Sequence, residues 1–380
     1  MDFSLTPEQL AYQEAVAGFA AQLPDDVVER DAGAVFSRES WRRCAEFGLQ
    51  GLPVPEEYGG AGADALTLAV ALEALGYACK DNGLIFSLNA QLWACALPLV
   101  RFGSEEQKRR YLPALCDGSS IAAQAMSEPG SGSDAFGLTT AAQPRDRGYV
   151  LSGSKTFVTN APAADLFLIY ATTDAAQGFA GVNAFLVERG TPGLDVGQPL
   201  GKMGLRTSPM SELFLDSCEV GDESLLGRPG AGMAVFNLAM LWERSLILAG
   251  SIGAMRRQLE RCIDYAKERR QFGKPIADFQ AVSHRIVEMR LRLDAARLLL
   301  YRLAWSLGRG EATALDSALV KLYVSESYVQ SSLDALQIFG GYGYMTEYEL
   351  EREVRDAIAT RIHSGTSEMQ RNIVARHLGL

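Results

Sequence analysis

Residues 148–161 read GYVLSGSKTFVTNA. Aromatic and β-branched residues sit among small polar ones, the mark of an extended strand between turns. The same texture recurs in DLFLIYATT (165–173), VNAFLVER (182–189) and SELFLDSCEV (211–220). Outside the span from 120 to about 227 the chain reads helical. Thr6-Pro7-Glu8 is a helix start, with a capping hydroxyl, proline in the first turn and an acid near the positive end of the dipole. LTLAVALEALGYACK (66–80) has helical apolar spacing, SEEQKRRYLPAL opens on a capping serine, and LPVPEEYGGAG (52–62) is a turn region. Residues 232–268, 278–308, 312–340 and 366–378 read as four long amphipathic helices. The expected fold class is therefore α+β. A helical domain over 1–119 precedes a compact β-domain over 120–227, and a helical bundle over 228–380 closes on it.

The bulk numbers narrow the function. A net charge of −10 over 380 residues argues against nucleic acid as the main partner and leaves no basic patch for a membrane surface. No apolar run reads as a membrane span, and MDFSLTPEQLAYQ lacks the basic stretch and apolar core of a signal peptide. Six scattered cysteines without a CxxC pair read as reduced thiols, which points to a cytoplasmic protein. Three histidines leave little material for a metal site.

Four short segments carry chemistry. In AMSEPGSGSD (125–134) glycines beside Ser127, Ser131 and Ser133 let backbone N–H groups wrap an acceptor-rich ligand, or simply form a polar loop. It is no GxGxxG between strand and helix, so no Rossmann unit follows. In SKTFVTNA an alternating strand puts Phe157 and Thr159 on one face, suited to a planar ring and its edge. Arg269 and Arg270 in ERRQFGKPIADFQAV suit a pyrophosphate, or are solvated arginines. LQIFGGYGY (336–344) ends a helix on a glycine cluster that admits close backbone approach, or merely caps the helix.

Taken together with VPEEYGGAG, KMGLRTSPMSELFLD and REVRDAIATRIHSGTSEMQR, these segments resemble the acyl-CoA dehydrogenase superfamily along essentially the whole chain. The resemblance implies an N-terminal helical domain, a middle β-barrel, a C-terminal four-helix bundle and FAD. It also implies a homotetramer, or at least a dimer, in which a neighbouring subunit completes each flavin site. It assigns Met126, Ser127, Gly132 and Ser133 to the loop at the flavin and its phosphates, Phe157 to the isoalloxazine face and Thr159 to the N5 edge. Arg269, Gln271, Phe272 and Gln280 would meet the partner's FAD. Gln337 and Gly341 would sit at the adenosine part, as would Thr366 and Glu368 on a final helix whose N-terminus suits phosphate.

The family reaction removes hydrogens across the α,β bond of an acyl thioester. A carboxylate takes the α proton, flavin N5 takes hydride from the β carbon, and an N–H with a ribityl hydroxyl stabilises the thioester oxygen. In most members the base directly precedes the Gly-Thr of the last loop, where this chain has Ser364. Either the chain is a flavoprotein without dehydrogenase activity, or the base has moved. A minority, the isovaleryl type, carries the glutamate on the first long bundle helix, which identifies Glu243 in LAMLWERSLILAGSIG as the base. His363 replaces a common aromatic and reads as packing. The Ser364 N–H is a candidate for the thioester oxygen.

Within the superfamily, LWERSLILAG, NAPAADLFLIYATT, GLIFSLNAQLWACALPLV and SGTSEMQ look most like dehydrogenases of prolyl carrier proteins in natural-product pathways. The alternative is a short- or branched-chain acyl-CoA dehydrogenase. An aminoacyl substrate needs polar partners in an apolar pocket, and Asn89 and Gln91 are the candidates. Trp242 and Arg244 flank the base, Trp242 shortening the pocket. Arg256, Arg257, Arg285, Arg290 and Arg292 would supply a basic rim for an acidic carrier, or serve an interface or a solvated face. Electrons would pass to an electron-transfer flavoprotein or to oxygen.

Overall fold

A computed structural model describes residues 4–380. Seven helices come first: α1 (Pro7–Ala20), α2 (Val27–Gly33), α3 (Arg38–Glu46), α4 (Ala65–Ala78), α5 (Asn82–Gln91), α6 (Leu97–Phe102) and α7 (Glu105–Cys116). Thr6 and Ser104 close full capping boxes with Gln9 and Gln107, and Asp64 caps α4 through the N–H groups of Leu66 and Thr67. These bonds satisfy donors that a helix start leaves orphaned. One turn of π-helix, Leu92–Ala96, joins α5 to α6 without a break.

Strands β1 (Ala122–Ala125), β2 (Ala141–Arg145), β3 (Gly148–Thr159), β4 (Leu166–Thr172), β5 (Val182–Glu188), β6 (Leu194–Val196) and β7 (Met210–Val220) form one sheet in the order β1-β4-β2-β3-β7-β6, with β5 also on β4. Strand β4 is buried at every position, and its LFLIYAT run has the continuous apolar character this requires. The bundle follows as α8 (Gly232–Leu246), α9 (Ala249–Glu268), a small hairpin of β8 (Arg270–Gln271) and β9 (Lys274–Pro275), α10 (Gln280–Gly308), α11 (Ala314–Phe339), α12 (Leu350–Ala359) and α13 (Ser367–His377). Two sequence expectations are corrected here. The segment 232–268 is two helices broken at Ile247 and Leu248, and 350–359 is a further helix.

Close backbone packing positions α8. A Cβ on Gly76 of α4 would meet the Gly250 carbonyl oxygen at 2.0 Å, and one on Gly253 would meet the Glu73 carbonyl at 2.1 Å. Only glycine lets α4 and α9 touch this closely, so the start of α9, and with it the break after α8, has one seat. Glu73, buried in the same contact, accepts from Arg297 at 2.6 and 2.8 Å and from the Tyr301 hydroxyl at 2.9 Å, tying α4 to α10. Two helical stretches, Asn82–Phe102 and Gly232–Glu268, are long and apolar enough to span a bilayer by length and composition, which corrects the reading that no run is. They are 83% and 61% buried within the protein, as core helices are.

The sheet carries its own internal ion pair. Lys155 Nζ lies 2.8 Å from Glu128 and 3.1 Å from the Met126 carbonyl, with Lys155 fully buried. Glu128 also accepts from Thr139 N–H (2.6 Å), Thr139 Oγ1 (2.7 Å) and Thr140 N–H (2.9 Å). Burial would raise the Glu128 carboxyl, but the bonds from Lys155, Thr140 and Thr139 outweigh it and bring it down to about 2. A lowered carboxyl gives stability that is present above its ordinary value near 4.5 and is lost as pH falls toward about 2. Lys155→Met leaves Glu128 buried without its counter-charge and should cost about 3–5 kcal/mol in denaturant unfolding. Wild-type stability in the variant would contradict this role.

Candidate active site

Glu243 sits one turn from the C-terminal end of α8, next to the break that the glycine contact enforces. Its side chain is buried, 9% exposed. The turn between α12 and α13 brings Ser364 against it from 121 residues further along, and the Ser364 hydroxyl donates to Glu243 Oε1. Among the described residues the other carboxylate oxygen has no partner, and it is not sealed off. Ser364 adopts a left-handed backbone, φ 57°, uncommon for serine. That conformation is gripped from two sides. Arg244 Nε donates to the Ser364 carbonyl at 3.0 Å, while Gln370 Nε2 donates to the same carbonyl at 3.3 Å and to the Gly365 carbonyl at 2.8 Å. Among the described residues the Ser364 N–H has no backbone acceptor. His363 Nδ1 lies 3.0 Å from the Ser364 hydroxyl oxygen, and its ring packs on Phe86 with centroids 4.8 Å apart.

Burial dominates the electrostatics. It pushes Glu243 above the ordinary carboxylate range, against the opposing pull of the Ser364 hydrogen bond and the positive charges of Arg244 and Lys321. Lys321 on α11 is fully buried, its ammonium without a hydrogen-bond partner, and burial together with Arg244 brings it down to about 8. His363 is brought down to about 3 by burial and then by Lys321, so its imidazole is neutral. Burial raises the Cys95 thiol and the Tyr170 phenol, each further raised by the nearby Glu243 charge. A carboxylate lifted by desolvation with one open oxygen is the form a general base takes.

The residues assigned to a cofactor fall in two groups. Thr156 N–H donates to the Ser127 carbonyl at 2.9 Å, and the Lys155–Glu128 pair anchors the rest of the 126–134 loop beside β3. The sheet register shifts between Lys155 and Val158, and Phe157 takes φ 56° there. The bulge, rather than regular alternation, turns Phe157 out, 66% exposed, with Thr159 half-buried two residues on. Gly132 and Ser133 lie on the exposed part of the loop, and beyond Gly132 there is open space. Thr366 caps α13, accepting from Met369 N–H at 3.3 Å, with Glu368 exposed in the first turn.

The second group lies at the end of the bundle. The Arg269 guanidinium stacks on Tyr342, 5.3 Å from its centroid, beside Gly341, which has open space around it. Gln271, Phe272, Gln280 and Gln337 are exposed, Phe272 at 93% and also left-handed, φ 51°. Exposed phenylalanines in strained backbone, open glycine loops and an unpaired arginine fit a flat ligand bearing phosphates, and so fit FAD.

Other expectations are corrected. Asn89 and Gln91 are fully buried and spent inside the protein. Asn89 Nδ2 donates to the Ile85 carbonyl (2.8 Å) and its Oδ1 accepts from Trp93 Nε1 (2.7 Å). Gln91 Nε2 donates to the Leu115 carbonyl (3.1 Å) and its Oε1 accepts from Ala122 N–H (2.8 Å). Gln91 thus ties the end of α5 to α7 and β1, and Asn89 links Ile85 to the Trp93 indole, so neither amide is left for a substrate. Trp242 is half-buried and stacks on Trp93, centroids 6.2 Å apart. Arg244 orients the Ser364 turn. The five rim arginines are committed within the chain: Arg285 and Arg292 to Asp334, Arg290 to Asp294, Arg256 to Glu260, and Arg257 to Glu353 and backbone carbonyls. Sequence reasoning missed Lys155, Glu128 and Lys321. An isolated lysine inside an apolar helix pattern was the available signal.

Models of the acyl-CoA dehydrogenase N-terminal, middle and C-terminal domains match residues 6–119, 123–218 and 230–379. The chain belongs to the acyl-CoA dehydrogenase family. It is 45% identical over 381 residues, covering all of both chains, to the L-prolyl-[peptidyl-carrier protein] dehydrogenase of Pseudomonas fluorescens Pf-5. Among solved structures it is similar to the prolyl acyl carrier protein oxidase AnaB, at 48% identity and TM-score 0.98, over 99% of this chain and 100% of that one. It is equally similar in fold to PigA with FAD and proline, at 44% identity and TM-score 0.98, over the whole of both chains.

Ser364→Gly, which keeps the left-handed backbone, removes a hydrogen bond that favours the charged form of Glu243. An infrared titration of the Glu243 carboxyl should then show its midpoint moved to higher pH. An unmoved midpoint would contradict the assigned contact.

Proposed function

We propose that this protein catalyses FAD-dependent α,β-dehydrogenation of an aminoacyl thioester, a prolyl group tethered to a peptidyl carrier protein, in natural-product biosynthesis. The observation that carries the reading is Glu243: buried, lifted by desolvation, one oxygen pinned by Ser364 and the other open. The likeness to prolyl-carrier-protein dehydrogenases over the full chain supports the substrate.

The α proton of a thioester is poorly acidic, so the base must be strong for a carboxylate and already oriented. Raising Glu243 supplies the first requirement, and the Ser364 bond supplies the second. As the α proton leaves, negative charge grows on the thioester oxygen. The unpaired Ser364 N–H, held by the grip of Arg244 and Gln370, is the donor this chain offers to that oxygen. Bound FAD supplies the acceptor for the β hydrogen. Phe157 would carry the ring face and Thr159 its edge, with the loop of Met126, Ser127, Gly132 and Ser133 along the ring and phosphates, and Thr366 and Glu368 beside it. A second copy would bring Arg269, Gln271, Phe272, Gln280, Gln337 and Gly341.

An exposed apolar stripe on α10 of Val287, Leu291, Leu298 and Trp305 supports a homodimer or homotetramer, since an unpartnered apolar face this long favours association. The six cysteines, all buried and free, support a cytoplasmic setting. Electrons would leave to oxygen or to an electron-transfer flavoprotein, and the likeness to a protein named an oxidase supports oxygen.

Anaerobic mixing of the FAD-loaded protein with prolyl-loaded carrier protein should bleach the flavin absorbance at catalytic rates, while isovaleryl-CoA and butyryl-CoA bleach it far more slowly. Bleaching by the CoA thioesters alone would overturn the carrier reading. Bleaching by none of them would overturn the dehydrogenase reading.

A further inference from the structure

The hydrogen-bonded chain beside Glu243 has a polarity that fixes what His363 shows to a substrate. An ionised Glu243 can only accept, so the one hydrogen of the Ser364 hydroxyl is directed to Glu243 Oε1. The Ser364 oxygen can then only accept from its other neighbour, His363 Nδ1, at 3.0 Å. His363 therefore carries its proton on Nδ1. Its imidazole is neutral, as burial requires, so Nε2 holds a free lone pair. Nε2 has no protein partner among the described residues and is not sealed off. A half-buried acceptor with this fixed orientation is open to a ligand donor that displaces water.

We infer that His363 is a specificity-determining residue whose Nε2 accepts a hydrogen bond from the α-nitrogen of the aminoacyl substrate. This rests on the proposed aminoacyl reading. The α carbon and its nitrogen are bonded, about 1.5 Å apart, so whatever recognises the nitrogen must stand beside the base. His363 is joined to Glu243 through a single hydroxyl. The amine has an N–H to give whether protonated or neutral, and Nε2 accepts from either form.

The neighbouring side chains do not compete: Gln370 Oε1 is unpartnered but sealed inside the protein. Arg244 and Lys321 are cations, and the Trp242 indole is a donor only. Asn89 Oδ1 and Gln91 Oε1 are taken by Trp93 and Ala122, and the Tyr170 hydroxyl already accepts from Gln124 Nε2 at 3.2 Å. The open oxygen of Glu243 is reserved for the α proton. An aromatic carbocycle at 363 would fill the same space without the lone pair, as suits an acyl group that lacks nitrogen.

The test uses the FAD-loaded protein with two carrier-bound thioesters, prolyl and cyclopentanecarbonyl, which differ in the ring nitrogen. The readout is the ratio of their kcat/KM values, in the wild type and in His363→Phe. A site built around an N–H donor discriminates against the analogue without it, because the acceptor is left unpaired. The prolyl preference should fall about tenfold or more in His363→Phe, the scale of a hydrogen bond to a charged group. His363→Gln, which keeps an acceptor oxygen, should recover part of the preference. A ratio unchanged in His363→Phe would overturn the inference, even if both rates fell. Failure of the wild type to oxidise the prolyl thioester would instead overturn the function proposed above.

Discussion

The contact between the Ser364 hydroxyl and the Glu243 carboxylate is the constraint on which the site depends. It joins the end of α8 to the turn before α13, across 121 residues. A buried carboxylate is costly unless its oxygens are satisfied, and here one is satisfied by a short polar side chain while the other is left open. A glutamate at 364 would have put two carboxylates against each other. The serine leaves room for Glu243 to arrive from another helix and supplies the hydrogen bond that holds it there.

The rest of the molecule serves to hold the two ends of that contact still. Glycines 76, 250 and 253 let α4 and α9 touch backbone to backbone, which fixes where α8 must stop. Arg244, the residue after Glu243, reaches back to the Ser364 carbonyl, so the same helix supplies both the carboxylate and the clamp on its partner. In the sheet, the buried Lys155–Glu128 pair fastens the 126–134 loop to β3 beside the bulge that turns Phe157 outward. Lys155 of the ion pair and the bulge both fall in the strand stretch 148–161.

Much of this was legible in the sequence because local signals carried it. The capping residues Thr6, Asp64 and Ser104 announced their helices, and the β-branched runs announced the strands. Glu243 was legible only through the family pattern and the serine at 364, since an isolated glutamate beside an arginine on a helix looks solvated. What escaped was set by contacts distant in sequence. The break at Ile247 and Leu248 depends on α4, not on a helix breaker at that point. Asn89 and Gln91 read as pocket residues, but their amides are spent on Ile85, Trp93, Leu115 and Ala122. The rim arginines read equally as a docking rim, an interface or a solvated face, and each pairs with an acceptor within the chain, one turn away or on another helix.

The central claim is that Glu243 removes the α proton. Glu243→Gln keeps the size of the side chain and can still receive the Ser364 hydrogen bond. In a single-turnover stopped-flow measurement with prolyl-loaded carrier protein, on variant protein retaining its FAD, flavin reduction should slow by about 10²–10⁴-fold, the usual contribution of a general base. Reduction at the wild-type rate would contradict the account.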